Sequence, residues 1–142
     1  MPAPAGWKIN TDATAGIRFA YPPTWAPATV SGQAVVASSG QVDLVLWVTQ
    51  PANGATLDSY KPIDIASVGA EPDNEGEISI GGVAGWAADW HVTKSGKDLY
   101  VIDAFTVRND KTYDLMWMSA PGTEADDLAL FKQIESTLVF TK

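Results

Sequence analysis

His91 is the single histidine of the chain, and no cysteine is present. Catalysis that needs an imidazole must use this residue, while thiol nucleophiles, cysteine zinc sites and disulfides are excluded. His91 lies in Ala87-Ala88-Asp89-Trp90-His91-Val92-Thr93. Side chains alternate along an extended segment, so Asp89, His91 and Thr93 share one face, and Trp86, Ala88, Trp90 and Val92 share the other. Asp89 and His91 are thus spaced to share a proton. A second carboxylate, Asp103, sits among apolar neighbours in Tyr100-Val101-Ile102-Asp103-Ala104-Phe105. Depending on strand register it falls opposite Ala88 or Asp89, and a slip of one residue changes its face. In one case the carboxylates and the histidine converge on a site that accepts hydrogen bonds or a cation, tuned by His91 with pH. In the other, a solvent-facing polar row remains.

The run Glu71-Pro72-Asp73-Asn74-Glu75-Gly76-Glu77 sets oxygen ligands at alternate positions with a glycine sixth. Position twelve of such a loop is Gly82 rather than the closing bidentate Glu, so an EF-hand is excluded. A weak surface Ca²⁺ site at Glu71, Asp73 and Glu75 and a solvated acidic loop both fit the pattern. The chain holds six tryptophans. Most are expected in the core, and Trp47 becomes a ligand-stacking candidate if it is exposed beside another. The candidate ligand-binding set is therefore Asp89, His91, Asp103 and Trp47. No Gly-x-Ser-x-Gly elbow, His-Glu-x-x-His or glycine-rich phosphate loop occurs, so no catalytic residue and no cofactor are assigned. Paired carboxylates acting as a small hydrolase need no such motif and stay as an alternative.

These side chains need a scaffold, and 142 residues with 46% hydrophobic content suffice for one domain over residues 1–142. A net charge of −8 disfavours the phosphate backbone of nucleic acids, which is bound through Lys and Arg. No apolar run is long enough for a transmembrane segment. Residues 1–6, Met-Pro-Ala-Pro-Ala-Gly, carry no signal peptide and read as a flexible spacer beyond a signal or lipid-anchor segment.

Strand periodicity appears at residues 7–9 and 16–21, the latter stopped by Pro22-Pro23, after which Trp25 anchors the chain. Residues 33–38 and 42–49 read as a hairpin around Ser39-Gly40-Gln41. In the second of these, Val42, Leu44, Leu46 and Val48 face one way, while Val45 and Trp47 make the other face apolar too, so both sides need cover. A short helix is predicted from Thr56 to Tyr60, ended before Pro62, and then an acidic loop over residues 67–76. Strands follow over 77–80 and 83–93, split by Gly81-Gly82, and over 99–108 and 112–119. A helix follows Pro121-Gly122, with Thr123 as its cap and Leu128, Phe131, Ile134 and Leu138 as its apolar stripe. Residues 139–141 then run extended. The expected fold is α+β: one antiparallel sheet of about six or seven strands, covered on both faces, with a long C-terminal helix.

Two stretches carry a resemblance. Gly16-Ile17-Arg18-Phe19-Ala20-Tyr21-Pro22-Pro23-Thr24-Trp25 resembles the opening of PsbP-like domains, and Leu130-Phe131-Lys132-Gln133-Ile134-Glu135-Ser136-Thr137-Leu138-Val139-Phe140 resembles their close, with one extra residue near its end. Gly81-Gly82 before a long strand fits the same order. The PsbP-like superfamily joins the photosystem II subunit PsbP, a nuclear Ran-binding protein and bacterial lipoproteins of the LpqN and DcrB type. No counterpart of the extended N-terminal segment of plant PsbP is seen here, so the bacterial relatives look closer. The resemblance implies an α/β/α sandwich and a non-enzymatic accessory or binding domain of extracytoplasmic or lipoprotein type, taking a protein or small-molecule partner. The alternatives are the carboxylate hydrolase and a carrier of an apolar ligand held between sheet and helix.

Overall fold

The computed structural model describes residues 3–13, 15–30, 33–38, 42–49 and 53–141, with the side chains of 27–30, 33–38 and 47–49 excepted. Its elements are β1 (Lys8–Asp12), β2 (Ile17–Tyr21), β3 (Ala26–Val30), β4 (Gln33–Ser38), β5 (Val42–Thr49), α1 (Leu57–Val68), β6 (Asn74–Ile80), β7 (Val83–Lys94), β8 (Lys97–Arg108), β9 (Lys111–Ser119), α2 (Glu124–Ser136) and β10 (Val139–Phe140). The strands form two antiparallel sheets, one of order β1-β2-β10 and one of order β3-β4-β5-β9-β8-β7-β6. The single sheet expected from the sequence is therefore two. The strand ended by Pro22-Pro23 pairs with β1 and with the last strand instead of joining β3 and the strands that follow it. The Ser39-Gly40-Gln41 turn lies outside the described residues.

Local chemistry explains the long meander β6 to β9. Its three turns are Gly81-Gly82, Ser95-Gly96 and Asn109-Asp110, and all six residues have positive φ. Two successive positive φ values make a type I′ turn, whose twist matches that of the strands it joins. The ladders accordingly close at Ile80↔Val83, Lys94↔Lys97 and Arg108↔Lys111, tighter than the loops read from composition. Gly85 has a different role. A Cβ there would approach the Phe105 carbonyl oxygen to 2.7 Å and Ile80 Cδ1 to 2.9 Å, so a side chain is excluded by packing.

The two faces of the large sheet are each buried under a helix. On one side Leu44, Tyr100, Ile102, Ala104, Leu115 and Trp117 pack with Phe131 and Ile134 of α2 and with Ile17, Phe19 and Tyr21 of the small sheet. On the other, Trp86, Trp90, Val101 and Phe105 pack with Val68, Tyr60 and Leu57 of α1. The sequence placed one short and one long helix. The structure has two of nearly equal length, 12 and 13 residues.

The difference arises at Pro62, which lies inside α1 rather than ending it. An interior proline removes one helical hydrogen bond and costs about 3 kcal/mol. Burial of Val68, with Tyr60 and Ile65 packed against Trp86 and Phe105, opposes that cost. A capping box strengthens the start: Thr56 Oγ1 accepts from Ser59 N at 3.1 Å and Ser59 Oγ accepts from Thr56 N at 2.8 Å. Gly69, at φ 90°, closes the helix. In α2 the expected Thr123 cap does not form; its hydroxyl donates to Asp127 Oδ2 at 3.1 Å instead.

Candidate functional site

Register decides the fate of the residues singled out in sequence. Asp103 pairs with Ala88 and Asp89 with Ile102. Asp89 and His91 therefore face the α2 side, and Asp103 faces the α1 side, so the three do not converge. Asp89 and His91 do not share a proton either, since each has other partners. Asp89 is buried and accepts from Tyr100 Oη at 2.7 Å and from Asn74 Nδ2 at 2.9 Å, while its carbonyl accepts from Asp73 N at 2.8 Å. These bonds fasten the start of β6 to the sheet. Burial, followed by the Asp89 carboxylate, pushes the Tyr100 hydroxyl well above its usual range.

His91 is half-exposed and bridges two elements at the surface. Its Nδ1 lies 2.7 Å from Asp73 Oδ2, in the loop before β6, and its Nε2 lies 3.1 Å from Glu124 Oε1, at the start of α2. The hydrogen bond to Asp73 raises its pKa above the ordinary value, with Glu124 adding to the effect. Glu124 is held below the usual carboxylate range by the Gly122 and Glu124 backbone amides first and by His91 second. An imidazolium that is more easily formed in the folded state stabilises below about pH 6.5, and the contribution is lost as pH rises through the raised folded value. Surface pairs of this type contribute less than about 1 kcal/mol. Comparing thermal melts of wild type and His91→Ala should thus show a gap of a few degrees at pH 5.5 that closes at pH 8.5. A drop of more than ten degrees at both values would make His91 a core residue of the fold.

Glu71, Asp73 and Glu75 are not gathered into one ligand set: Asp73 is drawn to His91, while Glu71 and Glu75 are exposed on the loop and on β6. Trp47 stands opposite Asp114 in the ladder of β5 with β9, and its side chain lies outside the described residues. Trp25, Trp86, Trp90 and Trp117 are all buried. The Trp90 indole donates to the Ala70 carbonyl at 2.9 Å and so fixes the chain just after α1.

Two grooves border this surface, both open to solvent. One of about 170 Å³ runs between β6–β7 and α2, lined by Asn74, Glu75, Asp89, Ile102, Leu128 and Lys132 among others. One of about 420 Å³ lies between the Gly81-Gly82 turn and the end of α2, beside Glu135 and Leu138. Neither is the enclosed apolar cavity that a carrier of apolar ligands needs.

A cluster that sequence reasoning missed lies on the other face. Asp64 of α1, Asp103 of β8 and Asp114 of β9 are 2%, 0% and 4% exposed and bring carboxylate oxygens within 4.8 Å of one another. Among the described residues it is the one group of three metal-ligating side chains. Tyr60 Oη donates to Asp114 Oδ2 at 3.0 Å. Asp64 Oδ2, Asp114 Oδ1 and both oxygens of Asp103 accept no hydrogen bond from an N–H or hydroxyl. Hydrogen bonding among the carboxyls therefore requires that they hold protons. Desolvation is the largest cause of upward shifts in all three, with the Asp114 charge adding at Asp103 and that of Asp64 at Asp114. The available signal in the sequence was a lone aspartate inside each of two apolar strands. Asp64 gave none, because the helix was expected to stop before Pro62.

No protein-family model matches the sequence, and no curated protein matches it. Solved structures do. Cyanobacterial PsbP (CyanoP) from Synechocystis sp. superposes with a TM-score of 0.66 at 16% identity, over 97% of this chain and 94% of its own. LpqN of Mycobacterium tuberculosis, described as involved in cell envelope biogenesis, gives 0.60 at 15% identity over 100% and 82%. The Ran-binding protein Mog1p of Saccharomyces cerevisiae gives 0.59 at 10% identity over 96% of each chain. The chain has the PsbP-like fold. In that fold the three motifs of the resemblance meet at one place. Phe140 pairs with Ile17 in β10 and β2, and Thr141 N donates to the Gly16 carbonyl at 2.8 Å. The Phe140 ring also lies where a Cβ on Gly81 would meet it at 2.8 Å. The motifs are packing residues, and likeness at such identity extends to the fold and not to a site.

Proposed function

We propose that this PsbP-like domain is a non-enzymatic binding module of bacterial extracytoplasmic type that engages a protein partner along β6, the partner presenting an extended basic segment. The observation that carries the reading is the edge itself. β6 has a strand neighbour on one side only, β7. Asn74, Glu75, Gly76 and Glu77 are exposed along it, and the 170 Å³ groove runs beside it. Unpaired backbone groups on an edge strand accept a further strand, while side-chain contacts select which one. Glu71, Asp73, Glu75 and Glu77 line this side with acid, in a chain of net charge −8, so Lys and Arg complement it. The partner-binding description of Mog1p and the cell-envelope description of LpqN support the same class of role. No helix among the described residues is long and apolar enough to cross a membrane.

The test is an NMR titration of the ¹⁵N-labelled chain with a ten-residue peptide of alternating Lys and Val, and with its Glu-for-Lys counterpart. Shifts centred on residues 74–80 with the basic peptide, weakened by salt and lost in Glu75→Lys/Glu77→Lys, are the expected result. Equal binding of the acidic peptide, or shifts centred elsewhere, would overturn the reading.

A further inference from the structure

We propose that Asp64, Asp103 and Asp114 form a binding site for a hard divalent cation, Ca²⁺ in preference to Mg²⁺, which clamps α1 onto the large sheet. The inference goes beyond the partner-binding role, concerns a buried cluster beneath α1 rather than the exposed β6 edge, and stands without it.

Two independent features support it. The first is convergence: the ligands come from a helix and two strands, and one oxygen of each lies within 4.8 Å of the others. Oxygens gathered this closely can be bridged by an ion that bonds at about 2.3–2.6 Å, as Ca²⁺ does in its flexible coordination. Mg²⁺ dehydrates reluctantly and usually keeps several waters, which three carboxyls this deeply buried oppose. The second is the state of Asp103. Its side chain is fully buried and directed at the other two carboxyls, and neither oxygen receives a hydrogen bond. A buried carboxylate without donors is costly, and a cation or a proton is what relieves it. The charged groups acting on Asp103 are the like charges of Asp114 and Asp64. From α1, the other polar group facing the cluster is the Tyr60 hydroxyl, already bonded to Asp114.

The donor set also selects the class of ion. Every ligand atom is a carboxylate oxygen, which suits Ca²⁺, Mg²⁺ and Mn²⁺ and not the softer metals that favour imidazole or thiolate. The chain has no cysteine, and His91 lies on the far face of the sheet. Because the ion must displace protons from the carboxyls, affinity rises with pH.

The experiment uses the full chain, stripped with a chelator and melted at pH 7.5 in CaCl₂, MgCl₂ or MnCl₂, with calorimetric titration in parallel. At roughly 100 times the dissociation constant, Ca²⁺ should raise Tm by about 5–10 °C. The rise should exceed that with Mg²⁺ and vanish in Asp103→Asn. In chelator, Asp103→Asn should melt at or above the wild-type temperature, since an amide is neutral without the proton that the buried carboxyl must take up on folding. Should that variant fail to fold, Asp64→Asn at the cluster's edge serves the same purpose. Glu75→Gln, on the surface, should keep the full response. No heat and no Tm change with any of the three ions at 10 mM would overturn the proposal and leave the cluster a proton-sharing one. A response that survives both aspartate variants, or that Glu75→Gln abolishes, would overturn it equally.

Discussion

Trp117→Ala is expected to cost roughly 3–5 kcal/mol, the range for deleting a large aromatic from a packed core. Trp117 is fully buried, with its ring 5.5 Å from that of Trp25 and 6.2 Å from that of Phe131. It is thus the point where the large sheet, the Pro-Pro corner and α2 meet. Its indole N–H donates to Ser119 Oγ at 3.0 Å, and that hydroxyl donates to Asp127 Oδ2 at 2.9 Å, tying the end of β9 to the first turn of α2. Truncation leaves a cavity and removes the donor to this relay. Urea denaturation should show a lowered midpoint, and Tm should fall by on the order of 10–15 °C for a chain of this size. Trp117→Phe keeps most of the volume and should lose about 1–2 kcal/mol through the hydrogen bond and residual space. A loss below about 1 kcal/mol in the alanine variant would mean that α2 is not docked on this residue.

In chelator, the protein is expected to lose stability as pH rises from 4 to 8, the opposite of the usual carboxylate behaviour. Burial pushes Asp114 up to about 6 and Asp103 well above its ordinary value. Between the unfolded value near 4 and these raised values, the folded state holds protons that the unfolded chain has released. Stability from the cluster is therefore complete below about pH 4 and is lost as pH climbs through about 6 and beyond, by on the order of 3 kcal/mol for Asp114. Urea midpoints at pH 4.5, 6 and 7.5 measure the slope, and Asp114→Asn should remove much of it. Stability that climbed with pH in wild type would show that the carboxyls are ionised and compensated in the folded state.

Sequence patterning reached far into this fold because strand and turn signals are local. The β7–β9 meander was legible from period-two alternation and from Gly81-Gly82, and α2 from the spacing of Leu128, Phe131, Ile134 and Leu138. Local signals failed where tertiary packing opposed them. Pro62 reads as a helix stop, yet the helix continues through it because Ile65 and Val68 pack onto the α1 face of the sheet. β3 was missed altogether: Pro27 masks it, and the ladder with β4 shifts register between Ala26 and Ala28. Two of the three acids of the buried cluster, Asp64 and Asp114, were not singled out, while Asp89 turned out to be fully bonded within the fold.

By itself the sequence determined the α+β class, the order of most elements and the three packing motifs that meet around Phe140, since each is written in neighbouring residues. Only the tertiary structure decided which carboxylates share a space. One residue of strand register separates an Asp103 beside Asp89 from an Asp103 beneath α1, and the two-residue turns fix that register. The burial that then perturbs Asp64, Asp103 and Asp114 is a property of three distant segments packed together, which no single stretch of chain records.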